Sequence, residues 1–225
     1  MHIEPGIVDG SKIVLSYATA GFSGLYAINL AFGEIKKRGL LSLTARSVIT
    51  TALVFCFFEI LPHYPVGVSE VHLILGSTLF LLFGMAPAAI GLAVGLLAQG
   101  MFFAPYDLPQ YGMNVTTLLV PLFALQLVAT RTVAPGMRYV DLKYRQALAL
   151  SVTYQAGIVA WVAFWALFGH GITAENLASI GTFGAAYMLV IVIEPLADLL
   201  VLAIAKSSAT MFRNGLFEPR LLGAA

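Results

Sequence analysis

Apolar residues in this chain fall in long runs, not in the alternating or one-faced patterns of a water-soluble fold. Seven runs stand out, at roughly 12–33, 41–61, 71–84, 86–103, 114–132, 147–168 and 178–205. Most approach about 20 residues, the length a helix needs to cross the hydrocarbon core of a bilayer. The third and fourth are short and meet at Gly84-Met85-Ala86-Pro87. As a single helix, 71–103 would be about 50 Å long at 1.5 Å per residue, against a core of about 30 Å. The glycine and proline therefore mark a hairpin. The pattern predicts an all-α polytopic membrane helix bundle with seven transmembrane helices. It forms a single domain over 1–225, with an N-terminal segment 1–11, spans within 12–205 and a tail 206–225.

Basic residues orient this bundle. Lys36, Lys37, Arg38 and Arg46 surround the first connection, Arg131, Arg138, Lys143 and Arg145 the fifth, and Lys206, Arg213 and Arg220 the C-terminal end. Seven spans place all three groups on one side and leave Lys12 alone on the other; six would split them. The positive-inside rule makes the basic side cytoplasmic, so the N-terminus is expected outside and the C-terminus inside, across a bacterial inner membrane. Composition agrees. The chain is 60% hydrophobic and 10% charged, whereas a soluble domain carries about 25% charged residues. A net charge of +1 excludes a nucleic-acid footprint. Nothing basic precedes Lys12, and Lys36-Lys37-Arg38 follows the first run, so 1–33 reads as a retained anchor, not a cleaved signal. The single cysteine, Cys56, excludes an internal disulfide and reads as a small core residue.

The same orientation gathers all four histidines outside: His2 in the N-terminal segment, His63 and His72 in PHYPVGVSEVH, His170 in GHGITAEN. Imidazole is the commonest metal ligand, although unrelated interfacial histidines would give the same count. His2 adds a chemical argument. An N-terminal amine, the amide nitrogen of residue 2 and that histidine's Nδ1 can reach one ion, closing a five- and a six-membered ring. Three nitrogens then lie in a plane with a fourth corner open to another imidazole, an arrangement that suits Ni(II) or Cu(II), with Co(II) also plausible. It requires a free amine on Met1.

These stretches resemble a known family. Met1-His2-Ile3, then PVGVSEVHLILGS, then AQGMFFAPYDLPQYGMN are similar to the CbiM/NikM family, the cobalt/nickel substrate-binding membrane subunits of energy-coupling-factor transporters, over roughly residues 1–130. The resemblance implies metal ligands at Met1, His2 and His72, with Gln99 and Asn114 as supports behind them. It implies no permanent cofactor and a transported Co(II) or Ni(II), with Zn(II) left open. The implied partners are a transmembrane coupling subunit, two cytoplasmic ATPase subunits and possibly a small accessory membrane subunit. The chain departs from the family pattern in spacing Ser69 and His72 by two residues instead of one, and His63 and Glu70 are additional possible ligands or supports.

Other polar positions are harder to assign. Glu194-Pro195-Leu196-Ala197-Asp198 lies late in the last run. Ionisable groups at membrane depth face protein or water, and Pro195 removes a backbone donor, so Glu194, Pro195 and Asp198 read as a contact or hinge with a partner subunit, or as a helix end in the headgroups. Small residues at Ser16, Ala20, Gly24, Ala27 and Ala31 suit close helix packing. Trp161 and Trp165 fit an interfacial belt. No phosphate-binding G-x-x-x-x-G-K-[ST] motif is present, so active import would borrow its energy from ATPase partners. Two alternatives compete: a self-sufficient secondary permease, and an intramembrane serine protease built on Gly21-Phe22-Ser23-Gly24. The first wants ionisable ligands through the membrane thickness; the second needs a base near Ser23, and no histidine lies within another run. The expected function is therefore metal capture by a non-enzymatic transporter subunit.

Overall fold

The computed structural model describes Ile3 and residues 5–223. Its helices are α1 (Ile13–Arg38), α2 (Leu40–Glu59), α3 (Gly76–Phe83), α4 (Met85–Phe102), α5 (Tyr111–Thr132), α6 (Tyr144–His170) and α7 (Ala174–Ser207). A short hairpin, β1 (Tyr64–Val66) and β2 (Ser69–Val71), links α2 to α3. Among the described residues, six helices are long and apolar enough to cross a membrane; α3 is not one of them.

The run at 71–84 thus differs from the expected third full-length helix. Part of it is hairpin and extended chain, and only eight residues are helical. Every residue of α3 is buried, so this segment meets protein on all sides. Irregular backbone is tolerated at membrane depth when protein surrounds it and supplies its hydrogen bonds. One such bond is in place: Gln155 Nε2 donates to the Ile74 carbonyl at 2.9 Å. The segment still runs from one end of the bundle to the other. Ser69 pairs with Ile3, whereas the Leu82 carbonyl accepts from the Glu218 amide at 2.7 Å and the Phe83 carbonyl from Arg46. The break at Gly84 is where the hairpin reading put it, with φ at 86°.

Side-chain contacts define the two ends. At one, Lys12 donates to the Gly169 carbonyl and Tyr17 to that of Pro109. At the other, Arg38 reaches the Gly215 and Phe217 carbonyls, Arg220 those of Met137 and Ala134, and Lys206 pairs with Asp141. The basic residues other than Lys12 gather at this second end, as their sequence positions require. It is sealed by Arg46, which is fully buried and ion-paired to Glu34.

Helix α4 is the most enclosed of the long helices after α5 and packs closely on α2 and α5. Close approach to α2 rests on Gly91 and Gly95. A Cβ at Gly91 would lie 2.4 Å from Thr50 Oγ1, and one at Gly95 2.7 Å from Val54 Cγ1. Helix α1 is peripheral. Its buried positions are Ser16 and Ser23, and Gly112 of α5 accommodates the Ser16 backbone. The small-residue stripe therefore serves internal packing at Ser16, while Gly24 has open space beside it. Trp165 does not present its ring at the protein surface: it is fully buried among Trp161, Phe164 and Phe168. Trp161 is partly buried and donates to Thr116 Oγ1. Cys56 is half-buried on the α2–α4 groove.

Candidate metal centre

The site is assembled by the segment leading into α1. Ile3 forms an isolated antiparallel bridge with Ser69, adding a position to the edge of the β1–β2 hairpin. Its amide donates to Asn114 Oδ1 at 2.9 Å, a buried bond spanning 111 residues. Ile3, Ile7 and Val8 are all buried. The chain passes so close to α6 that a Cβ at Gly169 would stand 1.8 Å from the Ile7 carbonyl oxygen. Only a glycine admits a backbone at that distance. The hairpin in turn is seated on α7 by Gly67, whose φ is +61° and whose added Cβ would meet the Ser179 carbonyl oxygen at 2.2 Å. A glycine with positive φ at the first central position is what a two-residue hairpin turn demands.

His72 follows directly from β2 and is buried. Its Nε2 lies 3.0 Å from Glu70 Oε2, a carboxylate–imidazole contact of the kind that fixes ring orientation in metal sites. The His72 ring stands edge-on to Phe58 and stacks under His63, with centroids 4.9 Å apart and planes 14° from parallel. Ring-nitrogen lone pairs lie in the ring plane, so two stacked imidazoles do not converge on one ion. His63 is exposed and covers His72.

The two expected supports lie together. Asn114 is buried near the start of α5. It shares a small pocket with Gln99, at the end of α4, and with Asp107. Asp107 is buried in the turn of helix over Pro105–Gln110, which carries the connection to α5. His170 lies apart from His72, on a cleft lined also by Gly6, Gly67, Glu175 and Ser179. Among the described residues no group of three or more His, Cys, Asp or Glu is placed to hold an ion. Met1 and His2, the other expected ligands, lie outside the described residues.

A comparison with families of known sequence decides the class. The family described as "Cobalt uptake substrate-specific transmembrane region", CbiM, matches residues 2–211. The chain belongs to the CbiM family. Its members are transmembrane components of cobalt uptake, and this CbiM chain is a multi-pass membrane protein of that type. Two solved structures share its fold. One, titled a transition metal transporter, has a TM-score of 0.68 at 18% identity, covering 92% of this chain and 93% of that one. The other, a truncated transition metal transporter, has a TM-score of 0.66 at 18% identity, covering 92% and 99%. Comparison with curated proteins gives no match.

The remaining polar cluster of this CbiM chain lies inside the bundle. Glu194 and Asp198 are fully buried on α7, which stays helical through Pro195. Neither reaches a headgroup region, contrary to the helix-end reading. Any coupling role for Glu194, Pro195 and Asp198 thus acts from within the bundle and not through a surface contact. The sequence missed what holds them: Ser77, Thr78, Ser151 and Gln155. Scattered serines and threonines in apolar runs carry no sequence signal for a common partner. Ser23, the serine of the protease alternative, lies on the buried stripe of α1.

Proposed function

We propose that this chain is the substrate-capture subunit of an energy-coupling-factor importer for Co(II) or Ni(II). The ion binds at the hairpin end of the bundle, which faces outside, and passes inward with a coupling membrane subunit and two ATPase subunits. A small accessory membrane subunit is a further candidate partner. The ligands are the Met1 amine, the His2 backbone and imidazole nitrogens, and His72; Asn114 and Gln99 support the segment, and Glu70 orients His72. The observation that carries this reading is the anchoring of Ile3 by Ser69 and Asn114. It ties the two preceding residues, whose reach is about 3.6 Å each, to the strand that leads into His72. A planar set of nitrogens suits Ni(II), and a carboxylate or water added to it suits Co(II) or Zn(II).

Calorimetric titration of Ni(II) and Co(II) tests the proposal. The protein with a native Met1 should bind one ion, with the tighter ion indicating the substrate. A form extended by two residues before Met1, and His72→Ala, should both lose it. Equal binding by the extended form would remove the amine from the site. A self-sufficient permease gains one argument, the buried carboxylates of α7, and metal uptake by proteoliposomes holding this chain alone would favour it.

A further inference from the structure

Two carboxylates sit inside the bundle, and among the described residues neither is ion-paired to a Lys, Arg or His side chain. All four of their oxygens are engaged. Glu194 Oε2 accepts from Ser151 Oγ at 2.7 Å and Gln155 Nε2 at 2.8 Å, and Oε1 from the Ser77 amide at 3.4 Å. Asp198 Oδ2 accepts from Ser77 Oγ at 2.7 Å and Oδ1 from Thr78 Oγ1. The facing groups are therefore Ser77 and Thr78 from α3 and Ser151, Tyr154 and Gln155 from α6, with Tyr187 further along α7. None is basic. The next cation along α7, Lys206, is about 12 Å beyond Asp198 at 1.5 Å per residue and is paired with Asp141.

A second observation shows what is missing. The Gln155 amide that donates to Glu194 leaves its own Oε1 buried without a donor, and the Tyr154 hydroxyl is buried without a partner. Both side chains are fully buried. Tyr154 interacts electrostatically with Glu194, and its ring fills the space that a Cβ on Gly76 would take. The cluster thus leaves an acceptor and a hydroxyl buried without partners beside two carboxylates.

We propose that Glu194 and Asp198 form a proton-carrying site in the membrane interior, holding at least one proton in the resting protein and clasping α3 to α7 beneath His72. A lone buried carboxylate costs several kcal/mol even after relaxation. Two carboxylates four residues apart on one helix add mutual repulsion, and acids that share a site titrate apart, one retaining its proton. A proton on either carboxyl removes one of the two charges and needs no volume. The oxygen-only surroundings lack the imidazole or thiolate that favours a transition ion. An alkali cation would have to displace hydroxyls already bonded to the carboxylates. The clasp matters because the chain from His72 to Leu75 is not helical and enters α3 at Gly76, next to Ser77.

Infrared difference spectroscopy of the full chain tests this, in an E218Q background that removes a half-buried acid whose carboxyl is also raised. At neutral pH the protein should show the carbonyl stretch of a protonated carboxyl, shifted in D2O. The band should vanish in the Glu194→Gln, Asp198→Asn double variant. A spectrum unchanged by the double substitution would mean that both groups are ionised and would overturn the proposal. So would loss of the band when sodium replaces choline, which would make the occupant an alkali ion. If the double variant does not fold, isotopic labelling of Glu and Asp side chains in the E218Q protein reads the same band, and its absence at neutral pH is equally decisive.

Discussion

At the scale of single residues, the N-terminal segment depends on an acceptor and on an absent side chain. Asn114 supplies the acceptor for the Ile3 amide. A buried amide left without one costs about 1–3 kcal/mol, so Asn114→Ala should weaken metal binding by about tenfold, each tenfold corresponding to about 1.4 kcal/mol. Asn114→Asp keeps the acceptor and should retain most of the affinity; calorimetry of the two variants checks the difference. Gly169→Ala makes the complementary test. Its methyl group would collide with backbone, the Ile7 carbonyl, which has no rotamer by which to escape. Metal binding should be lost while the helical circular dichroism of the bundle is retained. A Gly169→Ala protein that binds normally would show that the segment is not seated as described. The sequence announced the Asn114 half of this pair, because the residue lies in a stretch resembling known metal-uptake subunits. It did not announce Gly169, since a glycine late in an apolar helix reads only as a lost helix former. The partner that makes it necessary is 162 positions away in sequence numbering, at Ile7.

At the scale of elements, hydropathy located the spans and failed where an element is enclosed. The run at 71–84 is as apolar as its neighbours, but an apolar run looks the same whether lipid or protein surrounds it. Enclosure by α5, α6 and α7 let that chain give up helix for a hairpin and an extended stretch bearing His72. The end of α3 is then fixed by charge. Arg46 donates to the Phe83 carbonyl at 2.7 Å and pairs with Glu34. Removing one partner from a buried pair costs about 3–5 kcal/mol, and because Glu34 is partly exposed the lower end applies to Arg46→Met, measured by thermal unfolding in detergent. Glu218 closes the same end. Burial, followed by the Glu34 charge, raises its carboxyl above the ordinary value of 4.5, with Arg38 and Arg46 opposing. A raised folded value means that the folded state binds the proton more tightly. Its stabilising share is fully present below the unfolded value and is lost as pH rises through the folded one. Proteolytic protection of the tail should therefore decline as pH rises through that window, and Glu218→Gln should flatten the profile.

At the scale of the whole molecule, one asymmetry organises everything else. Lys and Arg other than Lys12 crowd the end where the tail docks on α3 and α5, while His63, His72 and His170 occupy the opposite end with the N-terminal segment. Both ends could be read from the sequence, because charge and turn residues punctuate the apolar runs and the parity of crossings sorts them. What the sequence withheld was the means by which residues 72–83 run from one end of the bundle to the other without a full helix, since that depends on neighbours. Which side of the membrane each end faces is testable. Replacing Cys56 by alanine gives a cysteine-free chain. Single cysteines at Tyr64, which is 66% exposed on the hairpin, and at Arg213, exposed in the tail, then report the two ends. A membrane-impermeant thiol reagent added to intact cells should label position 64 and spare position 213 until the membrane is opened. The reverse pattern would put the histidines inside and the basic cluster outside, against the positive-inside bias. Capture of an external ion would then be untenable, although the geometry around His72 would be unchanged. Sidedness therefore decides between an importer and any other use of the same fold, which no measurement of affinity can do.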